Sequence, residues 1–216
     1  MIESQLLAFR AEERQFATTA LQLYAHTSVC CMSIVNKYRK SLDQQWCLRI
    51  KTRHPDGDNY DGVITQIKSR FIILREEESF EFDGVIVLPK RFIKGIRDGE
   101  YEVCCNDILR ENGSKRKCGS PGWLNDCETI ADVIAELKKR DIWPGVETIY
   151  NDMAETAFYI GPITKTTNEH FYLRCYDAAG KWEKEYRLKY EDVFRIEFGS
   201  KYCKHFNAYM RRQDRA

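Results

Sequence analysis

Apolar and polar residues alternate over short stretches in much of this chain. Tyr186, Leu188 and Tyr190 alternate with Glu185, Arg187, Lys189 and Glu191, and Phe80 and Phe82 alternate with Glu81 and Asp83. This is the period-two pattern of strands with one wet face. Asp83-Gly84 and Ala179-Gly180 supply turn residues and predict hairpin connections, and His54-Pro55-Asp56-Gly57-Asp58 predicts a loop. Beyond Gly99 and Gly199 the period lengthens. Tyr101, Cys104, Cys105 and Ile108 fall at i, i+3, i+4 and i+7, and Tyr202, Phe206 and Tyr209 at i, i+4 and i+7, so a short amphipathic helix is expected after each glycine.

Two more helices follow from the same pattern. Residues 2–27 contain no Pro or Gly and place Leu6, Phe9, Phe16, Ala20 and Leu23 near one face, interrupted by Glu13. Thr129 followed by Asp132 has the form of a capping box, and Ile130, Val133, Ile134 and Leu137 make an apolar stripe running into Lys138-Lys139-Arg140, where cations suit a helix C-terminus. Pro144-Gly145 stops that helix, and a strand is expected from about Val146.

Self-similarity organises these elements. Gly62-Val63-Ile64-Thr65 is echoed by Gly161-Pro162-Ile163-Thr164, and with no gap Ile72, Ile73, Leu74 and Arg75 fall on Phe171, Tyr172, Leu173 and Arg174. After one inserted residue, Leu88 matches Leu188, Ile93 matches Val193, Ile96 matches Ile196 and Gly99 matches Gly199. The chain is therefore expected to be mainly β with flanking helices, an α+β protein containing one small β-module twice, at 45–109 and 142–210. The implied boundaries are an N-terminal helix at 1–28, a first module at 29–109, a linker at 110–127, and a second module with its helices at 128–216.

A leading helix, strands with a Gly-x-Ile step, an apolar third strand and a last strand ending near a glycine resemble the small, strongly bent barrels of the Sm-like family. Ile96-Arg97-Asp98-Gly99 is similar to that family's Ile-Arg-Gly motif, and Gly62 and Gly161 sit where its second strand bends. The resemblance implies two tandem barrels and a capacity for RNA binding through the loop after the second strand. The matching stretches here are Lys68-Ser69-Arg70-Phe71 and Thr166-Thr167-Asn168-Glu169, of which only Asn168 has a comparable side chain. Sm-like proteins also join through strand edges, and a tandem pair can satisfy one such edge internally.

Charge narrows the function. In 216 residues, 34 basic and 33 acidic side chains nearly cancel, so the global field of a general nucleic-acid binder is missing. No apolar run approaches membrane-spanning length and the N-terminus has no signal-peptide pattern, so a cytoplasmic protein is expected. The nine cysteines include no Cys-x-x-Cys pair, so neither metal nor cofactor is expected, and most are read as small buried hydrophobes with Cys118 the exposed thiol. His54, Asp56 and Asp58 read as a turn, and Glu76-Glu77-Glu78 as a solvated hairpin tip. No catalytic motif occurs. The expected function is non-enzymatic binding of another protein, as by an adaptor or a toxin-neutralising immunity protein. The alternative is Sm-like RNA binding through Lys115, Arg116, Lys117, Trp123, Arg211 and Arg212.

Overall fold

A computed structural model of the chain describes residues 34–114, 118–150 and 155–214. The expected helix at 2–27 and Lys115, Arg116 and Lys117 lie outside these residues. The chain divides into two compact units, Met1–Arg39 and Lys40–Ala216; all that follows concerns the second, which begins within a helix, α1, at 34–44.

The fold is mainly β, antiparallel throughout, with helices added. Strands β1 (Cys47–Thr52), β2 (Asn59–Ile67), β3 (Phe71–Glu78), β4 (Glu81–Pro89) and β5 (Ile93–Arg97) lead into α2 (Glu100–Glu111). A 3-10 turn (Gly122–Asp126) and α3 (Ile130–Lys139) follow. Then come β6 (Gly145–Tyr150), β7 (Glu155–Ile160), β8 (Ile163–Thr166), β9 (His170–Tyr176), β10 (Trp182–Lys189), β11 (Val193–Phe198) and α4 (Lys201–Gln213). One eight-stranded sheet has the order β5-β1-β2-β3-β4-β11-β6-β7, and a three-stranded sheet has the order β10-β9-β8. Among the described residues neither sheet closes on itself, so the strands are not the closed barrels expected from the sequence.

The large sheet is joined at its middle. Val85, Ile86 and Val87 of β4 pair with Phe198, Glu197 and Ile196 of β11, so the last strand of the chain is hydrogen-bonded to the fourth. Phe71–Leu74 and Val85–Leu88 are buried on both faces of β3 and β4, which explains why these strands read as continuous apolar runs. On one face, Phe71, Ile73, Val85 and Val87 pack with Val133, Ile134 and Leu137 of α3 and with Phe171, Leu173 and Leu188 of the small sheet. Leu124 and Cys127 belong to the same core, so the second half of the expected linker is structural.

Two glycines do equivalent jobs. A Cβ at Gly62 would lie 2.3 Å from the carbonyl oxygen of Arg75, and one at Gly161 would lie 2.1 Å from that of Arg174. Each permits a backbone approach that a side chain would block. The bend beside Gly62 is absorbed by a bulge between Ile64 and Gln66. Beside Gly161 the strand breaks instead: Gly161 N–H still donates to Pro144 in the large-sheet register, while Pro162 O already accepts from Arg174 in the small one.

The β3–β4 turn differs from expectation. Ser79 and Phe80 make it, with φ of 54° and 63°, and Asp83-Gly84 lies inside β4. Gly84 has φ +84° because a Cβ there would lie 2.9 Å from the backbone nitrogen of Ser200 at the start of α4. The capping box of α3 is formed as expected, with Thr129 Oγ1 accepting from Asp132 N–H at 3.2 Å and Asp132 accepting from Thr129 N–H at 2.7 Å.

Gly62→Ala and Gly161→Ala are each expected to lower the melting temperature far more than Gly95→Ala, where an added methyl meets nothing within 4 Å. Thermal denaturation followed by circular dichroism checks the ranking.

Candidate functional site

Two arrangements bring together side chains that are distant in sequence. The first is interior. His54, in the β1–β2 loop, is buried and lies 2.7 Å through Nε2 from Glu147 Oε1 on β6. Its Nδ1 accepts from Asp56 N–H at 3.2 Å, so Nε2 carries the proton and donates to the carboxylate. The other oxygen of Glu147 accepts from Arg195 Nε on β11 at 2.7 Å, and Arg195 also pairs with Glu197 at 3.2 Å. Phe194 covers the imidazole with ring centroids 5.0 Å apart.

His54 is thus more than a turn residue, and its partners Glu147 and Arg195 carry no sequence signal that links them to it. The side chain of His54 is only 2% exposed, so substrate has no route to the imidazole. With both ring nitrogens in hydrogen bonds, the group acts as a polar cross-link beside the β4–β11 seam.

The acidic run lies along the same sheet, and of its three residues only Glu78, beside the turn, is exposed as expected. Glu77 is buried, and burial, followed by the nearby carboxylate of Glu197, pushes Glu76 up to about 7.

The second arrangement faces solvent. Helix α4 is held at both ends. At its start, Ser200 Oγ accepts from Cys203 N–H at 3.2 Å, and Asp83 of β4 accepts from Lys201 N–H at 2.8 Å. Toward its end, Asn207 accepts from the Tyr176 hydroxyl at 2.6 Å and donates to Trp143 O at 2.9 Å. Arg211 pairs with Asp141 at 2.5 Å over the ring of Trp143. Cys203 and Met210 supply the buried face.

Between these anchors Tyr202 and Tyr209 are exposed and Phe206 half-buried, with Tyr202 and Phe206 stacked at 5.6 Å and 9°. These rings and the β9–β10 turn, Ala178, Ala179 and Gly180, line a groove of about 460 Å³. The turn is set by Asp177, whose side chain accepts from Ala179 N–H at 2.9 Å and Lys181 N–H at 2.8 Å. Gly180, at φ +73°, lets Tyr209 lie against the backbone, since a Cβ there would be 2.6 Å from the ring. Lys201 and His205 sit on the rim, and no carboxylate or thiol lines the groove. Over its whole length α4 carries Lys201, Lys204, His205, Arg211 and Arg212 and no acidic residue.

The residues named for nucleic acid are placed as follows. Trp123 is half-buried, packing on Phe198 at 5.6 Å and lying under Arg140 at 5.3 Å. Arg211 is committed to Asp141, and Arg212 is exposed on the last turn of α4. Cys104 is exposed, whereas Cys118, the thiol expected to be exposed, is half-buried. No helix among the described residues is long and apolar enough to cross a membrane.

Comparison of the chain with protein-family models, with curated proteins and with solved structures finds no match.

Glu147→Ala leaves Arg195 and His54 without their shared partner and is expected to cost about 3 kcal/mol or more in urea denaturation. The raised Glu76 has a definite pH sign. Its folded-state pKa lies above its ordinary value, so the native state holds the proton longer. Stability contributed below the ordinary carboxylate range is lost as pH rises toward about 7. Glu76→Gln is therefore expected to raise the melting temperature relative to wild type at pH 8 and to change it much less at pH 4.5, read by differential scanning fluorimetry across that range.

Proposed function

We propose that this chain is a non-enzymatic binding protein, built from two diverged copies of one small Sm-like β-module, that docks an acidic segment of another protein in the α4 groove. The observation that carries this reading is a prebuilt aromatic groove on a helix whose every ionisable rim group is basic or neutral. Exposed Tyr beside a half-buried Phe gives large contact area at low entropic cost. Lys201 and Arg211 already pair with Glu81 and Asp141, and Lys204 and Arg212 on the same helix favour a partner that supplies Asp or Glu next to an aromatic or leucine anchor.

The duplication is supported by strand order. The first half runs β5-β1-β2-β3-β4. The second runs β11-β6-β7 and, after the break at Gly161-Pro162, β8-β9-β10, so each closing strand lies beside its module's opening strand. The paired glycines and the helix after each closing strand agree with it. Helix α2 of the first copy borders a groove of its own, about 660 Å³, but Asp98, Glu100, Asp107 and Glu111 line it with carboxylates, so an acidic segment suits the second copy's groove and not the first's.

The test is selection from a peptide-display library on the purified full chain, followed by fluorescence anisotropy with the enriched peptides. Acidic peptides bearing an apolar anchor are expected. Tyr202→Ala with Tyr209→Ala should weaken them by about 2 kcal/mol, roughly thirtyfold, without a matching loss of melting temperature, because both rings are exposed. Enrichment with no acidic bias, or affinity unmoved in the double variant, refutes the groove. The same cations and rings could stack bases, so a single-stranded RNA oligonucleotide is the second probe. Binding that falls steeply with salt and vanishes in the double variant would replace the protein partner with RNA.

A further inference from the structure

Strand β1, strand β3 and helix α2 meet around three side chains that the groove does not use. The Sγ atoms of Cys47 and Cys105 and a carboxylate oxygen of Glu77 all lie within 4.8 Å of one another. All three residues are buried, at 1%, 1% and 8% exposure.

Each is held from its backbone outward. Asn106, next to Cys105 on α2, accepts from Cys47 N–H at 2.8 Å and donates to Cys47 O at 3.0 Å, bolting the start of β1 to the helix. Glu77 precedes the turn in which Ser79 and Phe80 take left-handed φ, a conformation a bulky residue like Phe rarely adopts. Glu77 accepts from Phe80 N–H at 2.5 Å, and Asn112 of the loop after α2 donates to Phe80 O at 2.8 Å. Both contacts stabilise the turn that leaves this carboxylate inside.

Among the described residues no ion pair reaches Glu77, and Arg49 is engaged in a two-point pair with Asp61 at 2.7 and 2.5 Å. Ionised groups enclosed in a dry pocket are costly unless a cation accompanies them.

We propose that Cys47, Cys105 and Glu77 bind one zinc ion, with the fourth position filled by water or by Cys118, which packs against the same apolar residues. Two thiolates select a soft or borderline cation over magnesium or calcium. Ligand atoms around tetrahedral zinc sit roughly 3.3–3.8 Å apart, so side-chain rotation by about an ångström or less closes the site. Binding exchanges the two thiol protons, and that of Glu77 where present, for the ion. No Cys-x-x-Cys spacing announces the site because its ligands come from three separate elements.

The test is anaerobic reconstitution of the reduced full chain with zinc or cobalt(II). One metal per chain is expected. The cobalt form should show a thiolate charge-transfer band and the intense visible bands of tetrahedral cobalt. Glu77→Gln should weaken zinc by about tenfold or more in competition with a chromophoric chelator, and Cys105→Ser, which leaves one thiolate in place of two, should weaken the charge-transfer band. Should Cys105→Ser fail to fold, the wild-type spectrum and the Glu77→Gln titration decide. Failure of the wild-type chain to take up a stoichiometric metal, or wild-type affinity in Glu77→Gln, overturns the proposal.

Discussion

The pairing of β4 with β11 is the interaction on which the rest depends. Each strand would otherwise present a row of unpaired amide and carbonyl groups. Joined through Val85–Val87 and Ile196–Phe198, they turn two sets of strands into one sheet. The seam sets one face of β3 and β4 beneath α3 and the small sheet, and their other face is buried as well. It also brings Asp83 to the first amide of α4, and Gly84 exists in its left-handed conformation to let that helix start so close. The position of the groove helix is thus a consequence of a strand pairing more than a hundred residues apart in sequence.

Polar chemistry has been moved inside beside this seam. His54, Glu147, Arg195 and Glu197 form a chain of contacts whose members come from a loop and two strands. Charges so enclosed are tolerated only because each has partners, and removal of any one leaves the next exposed to the cost of burial. Such networks fix register, since a strand shifted by one residue would turn its charged side chain to the opposite face. The surface of α4 follows the opposite logic: Tyr202 and Tyr209 lie outside, while Cys203 and Met210 fill the space beneath the helix.

Several sequence expectations failed for one physical reason, that local composition does not see a partner strand. Asp83-Gly84 has turn chemistry, but the turn formed at Ser79-Phe80, where the side chain of Glu77 and Asn112 hold the backbone. Glu77 reads as part of a solvated run, but period two places it on the covered face. Gly122–Asp126 lies in a stretch of linker composition, yet Leu124 is fully buried because the 3-10 turn faces the core shared by both sheets.

By itself the sequence determined what depends on neighbours a few residues away. Strand periodicity, the helices after Gly99 and Gly199, the capping box of α3, the aromatic stripe of Tyr202, Phe206 and Tyr209, and the matched glycines Gly62 and Gly161 were all legible, because backbone propensity and side-chain spacing act locally. Only the tertiary structure decided that the strands form open sheets joined at β4 and β11. It alone placed His54 against Glu147, gathered Cys47, Cys105 and Glu77 in one dry pocket, and set the β9–β10 turn against α4 to make a groove. Those contacts are selected by long-range packing and hydrogen bonding, whose partners no spacing along the chain specifies.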